Sequence, residues 1–411
     1  MSGLDIGFAN LTAPVVEDRA PWSERDFSSG LAIELLVLQP TPFCNIACDY
    51  CYLADRDATQ FMSLDVVEAT IRNARDSGLL GPELDVVWHA GEPLVASRDF
   101  FDAAIERIGA IAGPATEVRH SLQTNGVLID ERWCELFVRH RVRVGVSIDG
   151  PAAVHDRHRR TRKGGPTHAK VLRGIDLLGS YGVERDAIAV ITEHSLGRAD
   201  EIVDFFLAIG MVDIGFNVDE QEGVNGTSTL AERDERVDAF FARVFERAAE
   251  VPDRLRIREL IDAVDRVARG LPTRSVRGRP LPANPQVIPF ATTTVDWSGG
   301  FSCFSPELID QRDPRLGGFV WGNVLRDSMI DALRSERFRC VFEDILAGVE
   351  ACRSECAHFA LCGGGAPVNK LNERGSFRVA ETRYCRQTVK GPIALALGAL
   401  EAELGTSARG S

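Results

Sequence analysis

Three cysteines, Cys44, Cys48 and Cys51, sit in the stretch PTPFCNIACDYCYL between Pro40 and Leu53. The spacing is C-x3-C-x2-C, with Tyr50 just before the third cysteine. Thiolates are soft ligands that select zinc, copper(I) or iron–sulfur clusters. A closed tetrahedral site needs four protein ligands. Three thiolates this close together, with no fourth nearby, imply a metal centre with one position left open. A second group lies towards the other end. Cys352, Cys356 and Cys362 are followed by Gly363-Gly364-Gly365, and Cys385 closes Thr382-Arg383-Tyr384-Cys385. Four thiolates with glycines between them can wrap a cluster or a zinc ion, and spacing alone leaves both open.

Cys44-x3-Cys48-x-Tyr50-Cys51 resembles the signature of the radical SAM enzymes. The resemblance implies that Cys44, Cys48 and Cys51 hold a 4Fe-4S cluster whose free iron is chelated by S-adenosylmethionine (SAM). It implies that the reduced cluster cleaves SAM to a 5′-deoxyadenosyl radical, which abstracts a substrate hydrogen. Tyr50 is then expected near the adenine. An external electron donor such as flavodoxin or ferredoxin goes with this chemistry.

Such a loop needs a scaffold, and the chain alternates strand and helix patterns around it. Ile33 to Leu38 reads as a buried strand feeding straight into the cysteines. Further strands are expected at Asp85–Trp88, Val118–Leu122, Val142–Ile148, Ala187–Ile191 and Val212–Val218. Between them lie helix patterns with caps predicted at Ser63, Ser97 and Asp130. Six βα repeats with apolar strands predict an α/β fold with a parallel sheet and helices outside. The radical SAM resemblance implies the same thing, a partial (β/α)6 barrel. Chemistry in such barrels sits at the C-terminal ends of the strands.

Motifs recur at those ends. His89-Ala90-Gly91-Glu92-Pro93 resembles the family's GGE motif, with Ala90 in the first glycine position. Backbone carbonyls there can accept from the SAM ammonium group, and glycine permits close approach. Gln123 and Asn125 follow the third strand, and Ser147 ends the fourth. By resemblance these face SAM or substrate. Arg159 is chosen from Arg157, Arg159, Arg160 and Arg162 as the partner of the SAM carboxylate, where bidentate geometry favours arginine. The expected SAM contacts are therefore Tyr50, Ala90, Gly91, Glu92, Gln123, Asn125, Ser147 and Arg159. His155 and His158 are expected at the surface.

The C-terminal cysteines resemble the SPASM domain, an extension that binds auxiliary 4Fe-4S clusters, usually two. The cysteine expected four positions after Cys362 is Ala366, and only Cys303 matches a first-cluster position. One auxiliary 4Fe-4S cluster is therefore expected, on Cys352, Cys356, Cys362 and Cys385. Cys303 is expected to be free or substrate-facing. Cys134 and Cys340 fall on helix patterns and read as small buried hydrophobes.

The expected divisions are an N-terminal arm at 1–32, the barrel core at 33–225 and a helical segment with linker at 226–289. The SPASM-like domain at 290–390 and a C-terminal helix and tail at 391–411 complete the chain. The 411 residues carry a formal charge of −13, which gives no basic surface for nucleic acid. The first thirty residues hold no signal-peptide core, and no apolar run suits a membrane span. Ten cysteines at short spacings then read as metal ligands in a reducing cytoplasm.

SPASM-bearing enzymes mostly modify peptides. The stretches Leu38-Gln39-Pro40-Thr41-Pro42-Phe43-Cys44 and Ser302-Cys303-Phe304-Ser305-Pro306-Glu307 look most like maturases that cross-link ribosomally made precursor peptides, including the cyclophane-forming members. The expected function is a carbon–carbon side-chain cross-link in such a precursor peptide. One alternative is an anaerobic sulfatase maturase making formylglycine. Those enzymes carry an Asp used as a base directly after the cysteine matching Cys303, where this chain has Phe304. The alternative of another class is a non-catalytic zinc-binding interaction protein.

Overall fold

A computed structural model describes residues 22–27 and 30–407. Ile33–Leu38 (β1) is apolar apart from Glu34, as a strand covered by helices must be. It pairs in parallel with Leu80–Trp88 (β2), Leu36 opposite Val86 and Leu38 opposite Trp88. Parallel pairing continues in chain order through Glu117–Thr124 (β3), Arg143–Ser147 (β4), Arg185–Ile191 (β5) and Asp213–Val218 (β6). The crossovers are Leu64–Asp76 (α1), Arg98–Ala112 (α2), Glu131–His140 (α3), His168–Ser180 (α4) and Ala199–Ala208 (α5). Ser63, Ser97 and Asp130 cap α1, α2 and α3, accepting from the N–H groups of Val66, Phe100 and Trp133 at 3.3, 3.1 and 2.9 Å. Each satisfies one donor that the first helical turn leaves unpaired. The mostly parallel α/β sheet expected from the sequence is the sheet observed.

Neighbouring strands all point the same way, so their C-terminal ends share one rim. His89–Gly91, Thr124–Gly126, Ser147–Gly150 and Asp219–Glu222 follow or end β2, β3, β4 and β6 there.

Asp234–Glu250 (α6) and Arg258–Arg269 (α7) form the helical segment expected within 226–289, and Arg256–Ile257 (β7) pairs with β6. At the opposite side the sheet continues beyond β1. Thr292–Val295 (β8) lies parallel to it, Leu36 opposite Thr293, and turns back into Gly300–Cys303 (β9), with Gly322–Asn323 (β10) outermost. The C-terminal region is thus hydrogen-bonded into the barrel sheet, and its buried side chains continue the same apolar core. Glu336–Glu355 (α8), Pro367–Arg374 (α9) and Gly391–Ser407 (α10) complete the longer elements.

Two expectations need correction. The linker expected at the end of 226–289 contains a hairpin, Thr273–Val276 against Arg279–Pro282. Its two-residue turn, Arg277-Gly278, has φ of 49° and 75°, the pair of positive values that a tight hairpin demands. Most of the expected N-terminal arm, residues 1–21, lies outside the described residues. Trp22 and Phe27 are core rather than arm, with their rings 4.8 and 6.1 Å from that of Phe342.

His120 on β3 is buried against Trp88, and burial together with nearby His140 holds its pKa down at about 4. Burial holds His155 at about 4 as well. In the unfolded chain both imidazoles titrate near 6.5. Their contribution to stability is therefore complete above about pH 6.5 and is lost as pH falls towards 4. Urea midpoints measured across this window should drop, and His120→Gln should lessen the slope. A slope unchanged in the variant would contradict a neutral buried His120.

Candidate functional site

The chain leaves β1 into a loop, residues 39–62, that folds over the rim and carries the three cysteines. Within it Ile46–Cys48 pairs antiparallel with Arg159–Thr161, Cys48 opposite Arg159. Two arginines hold the loop backbone: Arg56 Nη1 donates to the Cys48 carbonyl and Arg162 Nη1 to the Cys44 carbonyl, each at 2.8 Å. The other candidates cluster around this clasp in three groups.

The first group ties the loop to β2 and β3. Ala90 and Gly91 have φ of 70° and 55°. A Cβ on Gly91 would lie 2.5 Å from the Thr41 oxygen and 2.6 Å from the Phe43 oxygen, so only glycine fits. Ala90 adopts a left-handed backbone that glycine would take without strain. Glu92 is buried, and its carboxylate accepts from Leu94 N–H at 3.0 Å, Thr124 Oγ1 at 2.7 Å and Asn125 N–H at 2.8 Å. Burial pushes its pKa up to about 7 against the pull of those donors. Asn125 Nδ2 donates to Asn45 Oδ1 at 2.7 Å and lies 3.8 Å from Cys44 Sγ.

The second group is centred on Asp149. Its carboxylate accepts from Tyr50 Oη at 2.6 Å, Arg159 Nε at 3.0 Å and the Val190 N–H at 2.9 Å. The Arg159 guanidinium also lies over the Tyr50 ring, 5.4 Å from its centre. Both members of the ion pair are buried, with side chains 1% and 8% exposed. Burial pushes Asp149 up, but Arg159, His155 and Tyr50 together outweigh it and the carboxyl ends below its ordinary range. Arg159 therefore binds inside the protein, joining Tyr50 to Asp149 beside Cys48. The expectation that His155 is a surface residue is wrong: it is fully buried on the short helix Ala152–His158, where Nε2 meets Thr167 Oγ1 at 3.0 Å. His158 pairs with Asp49 at 2.9 Å.

The third group is Gln123 with Ser147, where Nε2 donates to Oγ at 2.9 Å across the ends of β3 and β4. Both are half-buried at the rim.

Burial pushes the Cys44 thiol up to about 11 and that of Cys48 up to about 12. Thiols this reluctant to ionise become thiolates when a cation sits beside them. Three unpaired soft thiols carried on one loop make a donor set that fits a metal centre.

Cys352, Cys356, Cys362 and Cys385 line one cavity of about 90 Å³. The Cys352 thiol touches the Ala380 carbonyl at 2.9 Å, and buried Lys370 places Nζ 3.3 Å from that sulfur. A buried ammonium beside a thiol suits a site whose thiols are ionised. Cys303 is buried and faces protein, as is Phe304, whose ring packs 5.7 and 5.8 Å from Phe338 and Phe342. Cys134 is buried as expected, whereas Cys340 is only half-buried. All ten cysteines are free thiols.

Sequence reasoning passed over Asp149, Asn45 and Lys370. Asp149 follows Ser147 by two residues, but nothing local announces that it will meet Tyr50 from ninety-nine residues away. Lys370 carries no motif at all.

Replacing Asp149 by Asn would leave Arg159 buried without its counter-ion, which costs about 3–5 kcal/mol. Tyr50→Phe removes one hydrogen bond to the same carboxylate and should cost about 1 kcal/mol or somewhat more. Denaturant unfolding of the anaerobically prepared variants gives both numbers. Equal losses would show that Asp149 is not the hub.

A profile of the Radical SAM superfamily matches residues 38–206. An uncharacterized protein of Synechocystis sp. is 38% identical over 383 residues, covering 90% of this chain and 93% of that protein. The serine-type anaerobic sulfatase-maturating enzyme of Bacteroides thetaiotaomicron is 35% identical over 172 residues, and the match spans 41% of its length. The Klebsiella aerogenes enzyme of the same name is matched over 49% of its length, so the chain spans less than half of these two relatives. Among solved structures, anSMEcpe with bound AdoMet superposes with a TM-score of 0.70 at 21% identity, over 90% of this chain and 98% of that one. Streptococcus suis SuiB bound to precursor peptide SuiA gives 0.61 at 14% identity, over 87% and 76%. These likenesses establish the fold. The superfamily profile covers the cysteine loop and the strands β2 to β5, and the chain belongs to the radical SAM superfamily, which implies a 4Fe-4S cluster and SAM as its cofactors.

Proposed function

We propose that this chain is a radical SAM peptide maturase that closes a carbon–carbon bond of cyclophane type between side chains of a ribosomally made precursor peptide. The observation that carries the reading is the Cys44–Cys48–Cys51 loop set over the rim of a fold shared with SuiB in complex with its precursor peptide. In this reading Cys44, Cys48 and Cys51 hold the SAM-binding cluster. Bound there, cluster and SAM supply a 5′-deoxyadenosyl radical. The backbone of Ala90 and Gly91 and the paired side chains of Gln123 and Ser147 face SAM. Tyr50, Glu92, Asn125 and Arg159 hold the loop in register around it. The peptide enters at the barrel mouth, and the reducing electron comes from an external donor such as flavodoxin or ferredoxin.

Cys352, Cys356, Cys362 and Cys385 are assigned to one auxiliary 4Fe-4S cluster. Their shared cavity supports this. Sequence similarity to sulfatase-maturating enzymes favours a second reading, formylglycine formation. The residue after Cys303 argues against it, because Phe304 is buried in the apolar core and offers no base.

Anaerobic reconstitution should load about eight irons per chain, from two four-iron cubanes. Replacing Cys44, Cys48 and Cys51 together by Ala should halve that iron and abolish reductive SAM cleavage. Close to twelve irons, or 5′-deoxyadenosine at the wild-type rate from the triple variant, would overturn the assignment.

The peptide product should be two hydrogens lighter than its precursor, with fragmentation suppressed between the joined residues. Tandem mass spectrometry of a precursor co-expressed with the enzyme reads both. A formylglycine product would favour the second reading instead.

A further inference from the structure

Lysine is scarce in this chain. Of its 47 lysines and arginines only Lys163, Lys170, Lys370 and Lys390 are lysines, and two of these, Lys370 and Lys390, line the cavity of the C-terminal cysteines. Lys390 is committed elsewhere, because its Nζ pairs with the Glu381 carboxylate. Lys370 makes no ion pair among the described residues. It rises from α9 into the interior, where its side chain is 4% exposed. Nζ donates to the Gly348 carbonyl at 2.9 Å and lies 3.3 Å from Cys352 Sγ. Gly348 and Cys352 stand one turn apart on α8, so both face the same side of that helix. Only glycine fits at 348: a Cβ there would collide with the Phe377 oxygen and come within 3.2 Å of Lys370 Nζ.

The neighbours of Cys352 Sγ are used differently once that sulfur is a ligand. As a thiol it donates to the Ala380 carbonyl at 2.9 Å, with the Gly364 carbonyl at 3.7 Å. A ligand sulfur is deprotonated and can only accept. Of these neighbours Lys370 alone is a donor. Lysine suits the position because its head is compact and carries several rotatable donors, one for Gly348 and another for the sulfur. Hydrogen bonds to its sulfurs are among the levers that set the reduction potential of an iron–sulfur cluster. A donor held in a buried site acts strongly, since the local dielectric is low.

We propose that Lys370 donates an N–H···S hydrogen bond to Cys352 as a ligand of the auxiliary cluster and thereby holds that cluster's reduction potential up. This rests on the assignment of Cys352, Cys356, Cys362 and Cys385 to one 4Fe-4S cluster. A donor at the sulfur stabilises the added negative charge when the cubane gains one electron from its reductant. The same four thiolates without Lys370 would make a poorer electron acceptor.

The test uses the full chain with Cys44, Cys48 and Cys51 replaced by Ala, so that only the C-terminal cluster is read. Anaerobic reconstitution of this parent should load about four irons per chain. Titration with dithionite, followed by EPR, gives the midpoint potential. Lys370→Met should make the cluster about tenfold or more harder to reduce at a fixed poise, a fall of about 59 mV for a one-electron couple. Lys370→Arg keeps donors at the position and should recover most of that loss. Exposed Lys170→Met on α4 should leave the midpoint where it was. An unchanged or raised midpoint in iron-loaded Lys370→Met would overturn the proposal and leave the cluster assignment standing. A parent that binds no iron would reject the assignment, and the proposal with it.

A second measurement keeps Lys370 in place. The parent is produced with lysine labelled by nitrogen-15 at Nζ, and pulsed EPR of the reduced cluster reads the coupling to that nucleus. A coupling is expected, and it should vanish in Lys370→Arg. Its absence in the parent would overturn the proposal even if Lys370→Met fails to load iron. A coupling that persists in Lys370→Arg would assign the contact to Lys390 and overturn it equally.

Discussion

The site depends on a single buried ion pair. Asp149 ends the β4 segment, Arg159 opens the short strand that lies against the cysteine loop, and the two meet with almost no access to water. A buried ion pair is a poor source of net stability, since desolvation offsets its attraction. Its effect is positional. An arginine that must reach Asp149 fixes where the backbone of Arg159–Thr161 runs, and that backbone fixes Ile46–Cys48. Tyr50 adds a third point to the same carboxylate. The loop with the three thiols is therefore placed from the far side of the barrel mouth, by residues about one hundred positions later in the chain.

The same rim divides its polar groups between two uses. Glu92, Asp149 and Arg159 are satisfied within the protein and hold backbone in place. Glu222 differs, being buried with one carboxylate oxygen that has no hydrogen-bond partner. Burying polar groups without partners costs free energy, so Glu222 stands apart from the satisfied groups of the rim. Gln123 and Ser147 fall between: each has the other as partner and keeps part of its surface exposed.

Much of this architecture was legible in the sequence because it is locally encoded. Apolar runs gave the six barrel strands in order, and Ser63, Ser97 and Asp130 announced their helices. The thiol groups were legible from spacing. What escaped the sequence was long-range. The strand Thr292–Val295 looks like any short β-branched run, and nothing local says that it will pair beside Ile33–Leu38. The hairpin at Thr273–Pro282 was hidden by its prolines, which ordinarily argue against strands. His155 looked like a loop histidine because the short helix around it has no side-chain cap and only the tertiary fold buries it. Arg159, expected as the partner of the SAM carboxylate, is instead paired inside the protein with Asp149. Its partner Asp149 could be recognised only once β4 and the clasp were in place.

The position of β8 also shapes how the chain reaches its fold. β1 is made early, but the strand that covers its outer side lies some two hundred and fifty residues later. During synthesis β1 is thus an uncovered edge, with its unpaired N–H and C=O groups able to recruit another strand. Long-range parallel pairing of this kind is slow, because loop closure precedes the contacts that reward it. The cysteine loop follows directly from β1, so its thiols are exposed in the nascent chain well before the C-terminal region arrives to close the sheet. Addition of β8, β9 and β10 is the late event that moves the edge of the sheet away from β1.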